Sequence, residues 1–161
     1  SEIASLVDTS YFVDRSKDIY GYDHFICDTS GSICEVVDPS DEHDPVLNAL
    51  SETALMVWIK GSNDHADELV RRFDRAPKPM YYQKDFLKAR WSEYLSANNL
   101  VPEAVDPDAF VRWVYKKALA HRRPRYESIA EWGVSVTANE ISKVKTTDDF
   151  NNLIAQALER R

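Results

Sequence analysis

Glycine is scarce in this chain: 161 residues contain four, at Gly21, Gly31, Gly61 and Gly133. They are too widely spaced to assemble a Gly-x-x-x-x-Gly-Lys-Ser/Thr phosphate loop, and that motif occurs nowhere. Each glycine instead falls at a predicted element boundary, the punctuation expected of an α/β chain. Cysteine is rarer still. Cys27 and Cys34 stand seven positions apart, which fits no zinc motif and gives no disulfide framework. Reduced, buried thiols in a cytoplasmic protein are the expectation. No apolar run approaches the ~18–20 residues of a membrane helix, and the first residues have no signal-peptide pattern. Positive charge is in deficit, with 20 Lys and Arg against 27 Asp and Glu and a net charge of −7. A pI near 5.1 argues against a general nucleic-acid or anionic-membrane surface. The remaining composition, 43% apolar and 29% charged, is ordinary for one soluble domain with one core.

The stretch from Tyr22 to Glu35 organises the rest. His24 to Cys27 is an apolar run of the kind that forms a strand buried on both faces of a parallel sheet. It stops at Asp28, and Thr29-Ser30-Gly31-Ser32 then leads into the apolar-periodic Ile33, Cys34, Val36 and Val37. The pattern predicts strand, tight turn, helix start. Ser30 or Ser32 is the expected cap, and Glu35 stands at capping-box spacing from Ser32. A carboxylate at such a strand end suits a hydrated Mg²⁺, and the exposed amides of the turn suit a phosphate. The plainer alternative is that Asp28 caps the turn and Gly31 supplies a positive φ.

Before this stretch, Ile3, Leu6 and Val7 read as a helix end or terminal padding, and Thr9-Ser10 caps a helix that Gly21 stops. After it, Asp38 to Pro45 is a polar loop. Its Asp41, Glu42, His43 and Asp44 invite a metal reading, but adjacent residues in an acidic loop rarely converge on one ion, and a solvated loop is favoured. A short helix follows from Val46 to Ser51. Ala54 to Ile59 predicts a second buried strand, and Ser62 or Asn63 caps a helix bearing His65, Leu69, Val70 and Phe73. Two strand-turn-helix units imply a parallel sheet with helices on its faces.

Arg71 to Tyr82 is basic, aromatic and broken by proline, against the balance of the chain. Arg71, Arg72, Arg75 and Lys78 suit phosphate or carboxylate groups; the alternative is pairing with the chain's many carboxylates. Phe86 to Asn98 and a helix started by Asp106-Pro107-Asp108 make a helical insertion over 83–121, either a lid or plain packing. A second basic knot, His121 to Tyr126, precedes a helix through Ile129, Ala130 and Trp132. Gly133 to Thr137 is a short strand, and Thr146 or Thr147 caps the last helix.

The ending, Arg123-Pro124-Arg125-Tyr126, Ala130, Val134-Ser135-Val136, a polar turn and a terminal helix, resembles the close of small P-loop kinases of the shikimate-kinase and nucleotide-kinase group. Residues 22–161 also resemble the second half of a bacterial P-loop ATPase family in which the run from Tyr22 to Ser32 recurs. That resemblance implies a three-layer parallel sheet with flanking helices, lacking the phosphate loop and first strand, and therefore the C-terminal portion of a longer protein. It implies that Asp28 contacts Mg²⁺ and that Ser30, Gly31 and Ser32 line the phosphate or substrate side. It assigns Arg71, Arg72 and Arg75 to transferring phosphate charge and Arg123 and Arg125 to the flanks of the nucleotide. ATP and Mg²⁺ are expected for the full-length protein only, with an unidentified small-molecule substrate, no nucleic acid and no membrane partner. This chain alone is expected to be inactive. The competing reading is a non-catalytic α/β interaction module whose Arg71–Tyr82 segment binds an acidic partner or a small anion.

Overall fold

Asp44 and Pro45 illustrate how local chemistry starts an element here. The Asp44 carboxylate accepts from the N–H groups of Val46 (3.0 Å) and Leu47 (2.9 Å), and Pro45 occupies the first helical position. The result is α3 (Pro45–Thr53), whose Val46, Leu47 and Leu50 are buried. The computed structural model describes residues 2–78 and 80–161, the side chain of Glu2 excepted; Pro79, in the basic-aromatic segment, lies outside the described residues. The chain divides into two compact units, Ser1–Lys60 with Arg125–Arg161, and Gly61–Pro124.

In the first unit, α1 (Glu2–Val7) and α2 (Thr9–Tyr20) pack against α3. Gly21 ends α2 in the left-handed conformation with φ 66°, as its position predicts. Thr9 does not cap α2: it is buried, and its hydroxyl donates to the Leu6 carbonyl at 2.7 Å. The core gathers Leu6, Ile33, Cys34, Val37, Val46, Leu47, Leu50 and Ile129. Each such aliphatic side chain contributes about 1.5–3 kcal/mol by leaving water.

The sheet has two strands. β1 (Val57–Lys60) pairs in parallel with β2 (Val134–Thr137), Val57 opposite Val134 and Lys60 opposite Thr137. β2 alternates buried Val134 and Val136 with exposed Ser135 and Thr137. Val134 and Val136 pack with Ala157 of α8 (Thr147–Glu159) in a second cluster. Thr146 caps α8 and Thr137 caps the short α7 (Ala138–Ile141), each within a full capping box.

The observed class is therefore mixed α/β, mostly helical, with one parallel strand pair among the described residues. Two sequence expectations are corrected. His24 to Cys27 is not a strand: the segment joins no ladder among the described residues, and Phe25 and Ile26 are 41% and 89% exposed. Apolar character selects a strand only where a neighbouring strand satisfies its backbone. The helix expected to follow the basic knot at 121–126 is not a separate element either. α6 (Pro107–Ala130) runs through Pro124, which gives up one backbone bond without ending the helix.

The second unit is helical. α4 (Asn63–Arg75) begins with a capping box in which His65 takes the place of the usual Glu or Gln: its Nδ1 accepts from the Ser62 N–H at 3.0 Å. α5 (Lys84–Asn98) and α6 share a core of Tyr94, Phe110 and Val114, with Trp91 edge-on to Phe110 at 4.9 Å. Phe73 of α4 stacks on Tyr115 of α6 with centroids 3.9 Å apart. The 83–121 helical segment falls inside this unit. No helix among the described residues is long and apolar enough to cross a membrane.

Candidate functional site

The turn after Asp28 is built by its own side chains. The Ser30 N–H donates to Asp28 Oδ1 at 2.9 Å, and the hydroxyls of Ser30 and Ser32 lie 2.6 Å apart. The Ser32 N–H donates to Ser30 Oγ at 3.3 Å, making Ser30 the cap of the 3₁₀ turn Gly31–Glu35. Glu35, three residues after Ser32, is buried. The positive φ falls on Ser30, at φ 57° and ψ 174°, and not on Gly31. That region is sterically open to glycine alone, and a serine there costs about 1–3 kcal/mol. Asp28 is exposed, one carboxylate oxygen engaged in the turn.

Long-range bonds hold this turn from the far end of α6. The Tyr126 hydroxyl donates to the Gly31 carbonyl. Arg125 Nε donates to the Cys34 carbonyl at 2.6 Å and its Nη2 to the Val37 carbonyl at 3.5 Å. Trp132 Nε1 reaches the Pro39 carbonyl at 3.3 Å. The Tyr126 ring also lies against Trp58 of β1, 6.5 Å between centroids. The Ser40 hydroxyl and N–H hold the Asp38 carboxyl below its ordinary range, and the nearby Arg125 charge adds to this. The guanidinium of Arg125, expected beside a nucleotide, is thus engaged with two backbone carbonyls. In the sequence Tyr126 and Trp132 stand only as members of a helical pattern. Their one legible signal was an aromatic side chain with a polar handle beside buried apolar positions.

The remaining candidate residues belong to the other unit. Arg71 and Arg72 share one carboxylate, Glu68, at 2.9 and 3.2 Å. Both are exposed, as are Arg75 and Lys78. Arg123 Nη1 donates to Asn63 Oδ1 at 3.2 Å. Arg122, to which the sequence pattern gives no role, is a buried arginine of this unit: it is 4% exposed, donates to the Tyr81 carbonyl, and lies 5.8 Å from the Tyr82 ring centroid. Asp28, Ser30, Gly31, Ser32 and Arg125 are brought together in the first unit, while Arg71, Arg72, Arg75 and Arg123 are in the second.

The acidic loop is structural. Asp44 is buried as a helix cap and also accepts from the Asp38 N–H at 2.8 Å, and Asp41 Oδ1 accepts from the His43 N–H at 2.9 Å. Among the described residues no three His, Cys, Asp or Glu side chains converge as a metal cage. Magnesium needs no such cage, since it keeps most of its waters and binds through one or two carboxylates plus phosphate. Asp28 fits that demand. The triphosphate of ATP is not met by these residues alone, because the sequence has no glycine-rich loop to cradle it. No family model, curated protein or solved structure matches this chain.

Proposed function

We propose that this chain is the C-terminal part of a cytoplasmic bacterial P-loop ATPase or small-molecule kinase, contributing the Mg²⁺-facing carboxylate of Asp28. The observation that carries the reading is the apolar segment 24–27 ending in the Asp28 turn, with Ile26 89% exposed. In addition, among the described residues β1 has a strand on one side only. Parallel sheets are normally covered on both faces and built from more strands. Further strands, one of them leading into a phosphate loop, would pair with both the 24–27 segment and β1, completing a three-layer sheet.

Within that reading Asp28 holds hydrated Mg²⁺, which neutralises charge on the transferring phosphate when bound. Ser30, Gly31 and Ser32 border the same side. Arg71, Arg72, Arg75 and Arg123, in the second unit, are the cationic groups that the kinase resemblance assigns to phosphate and nucleotide. The reading is tested by calorimetric titration of Mg-ATP into protein from the complete reading frame, beside the 161-residue chain. Binding by the long form, lost in Asp28→Ala, is expected. Binding by neither form, or normal Mg-ATP turnover in full-length Asp28→Ala, overturns it.

A second reading, an interaction module for an acidic partner or small anion, is favoured by the exposure of Arg71, Arg72, Arg75 and Lys78. It predicts anion binding by the 161-residue chain without Mg²⁺ and without nucleotide preference.

A further inference from the structure

We propose that Tyr126 and Arg125 are positioning residues that hold the Asp28–Ser32 turn in the conformation from which its carboxylate and paired hydroxyls meet a ligand. The inference rests on the Mg-ATP reading of that turn. Ser30 occupies backbone space that a side chain disfavours. The bonds made inside the turn, Ser30 to Asp28 and Ser30 to Ser32, are exposed, so water competes for each. Local chemistry is a weak restraint on a costly conformation.

A second restraint comes from residues 95 and 91 positions away, an exposed bond from Tyr126 and a part-buried one from Arg125. Tyr126 anchors the carbonyl immediately after Ser30, and Arg125 anchors the carbonyl of Cys34 three residues further on. Both donors bind backbone carbonyls, so the clamp fixes the path of the chain through the turn. Gly31 is part of the device. A Cβ there would stand 3.0 Å from the Tyr126 hydroxyl, so the bare backbone permits the approach. Trp58, against the Tyr126 ring, ties the same clamp to β1. Neither positioning residue needs to touch the ligand.

The test uses Tyr126→Phe, which removes the donor and keeps the ring, and Arg125→Lys, which keeps a donor. Amide resonances and hydrogen exchange of the 161-residue chain are read without ligand, and Mg-ATP affinity is read in protein from the complete reading frame. Tyr126→Phe is expected to move the Ser30–Ser32 resonances, with roughly 5- to 10-fold faster exchange there and a similar loss of Mg-ATP affinity. The thermal midpoint falls by only about 2–4 °C, as the loss of one hydrogen bond requires, and Arg125→Lys retains the wild-type turn. Ser30–Ser32 resonances that superimpose on wild type overturn the proposal. So does a displaced turn that binds Mg-ATP with unchanged affinity. Failure of the Mg-ATP reading is seen separately, as no binding by the wild type, and it removes the ligand role assigned to the clamp.

Discussion

The Tyr126 hydroxyl donates to the carbonyl of Gly31, and a methyl group at position 31 would stand 3.0 Å from that hydroxyl. The pair joins the end of α6 to the turn after Asp28. Replacing Gly31 with Ala displaces the phenol and weakens one hydrogen bond, at a cost of about 1 kcal/mol. In a Tyr126→Phe background the same replacement is expected to cost less. A double-mutant cycle by urea denaturation measures the coupling, and additive effects would show that the two residues do not interact.

Ser30 invites a comparison of two substitutions that both remove the hydroxyl. Glycine accepts φ 57° and ψ 174° without a Cβ clash, whereas alanine does not. Ser30→Gly is therefore expected to be more stable than Ser30→Ala by about 1 kcal/mol. Equal urea midpoints would mean that the turn relaxes out of this conformation at no cost.

Gly133 is a steric requirement of the sheet. A Cβ there would lie 2.0 Å from the Met56 carbonyl oxygen and 2.7 Å from its carbon, both backbone atoms. The neighbouring Val134 N–H donates to that same carbonyl at 2.9 Å. Gly133→Ala has to part the strands where they first meet, and a loss of about 3 kcal/mol is expected in denaturant titration.

Glu140 links the end of β2 to α8. The N–H of Thr137, then its hydroxyl, and then Arg160 at 3.0 Å hold its carboxyl down from the usual 4.5 to about 2. A carboxyl depressed in the folded state stabilises fully above its unfolded pKa, and that contribution disappears as pH falls through the folded value. The thermal midpoint of the wild type should therefore fall between about pH 4.5 and pH 2 by more than that of Glu140→Gln. Parallel pH profiles for the two proteins would remove Glu140 from the acid transition.

Much of the helical framework was legible because caps act within one turn of chain. The helix expected from Val46 begins one residue earlier at Pro45. The caps expected at Ser62 or Asn63 and at Thr146 or Thr147 fall on Ser62 and Thr146, and Gly21 stops α2. All act within four positions of the groups they satisfy. His65 was less legible, because the N3 position ordinarily calls for Glu or Gln and an imidazole filled it. The apolar runs of β1 and β2 were legible as strands because each finds the other. The similar run at 24–27 was misread, since a strand is a property of pairs and its composition says nothing about which partners are present.

For the candidate site, the sequence by itself determined that Asp28 ends an apolar run, that small polar residues follow, and that α4 carries clustered arginines. Those are facts of adjacency. Only the tertiary structure decided that the strain falls on Ser30, that Glu68 takes both Arg71 and Arg72, and that Arg125 spends its guanidinium on the Cys34 and Val37 carbonyls. The hydrogen bond from Tyr126 to Gly31 spans 95 positions. It depends on folded coordinates, because a backbone carbonyl has the same chemistry at every position and nothing local marks the one that a distant side chain will reach.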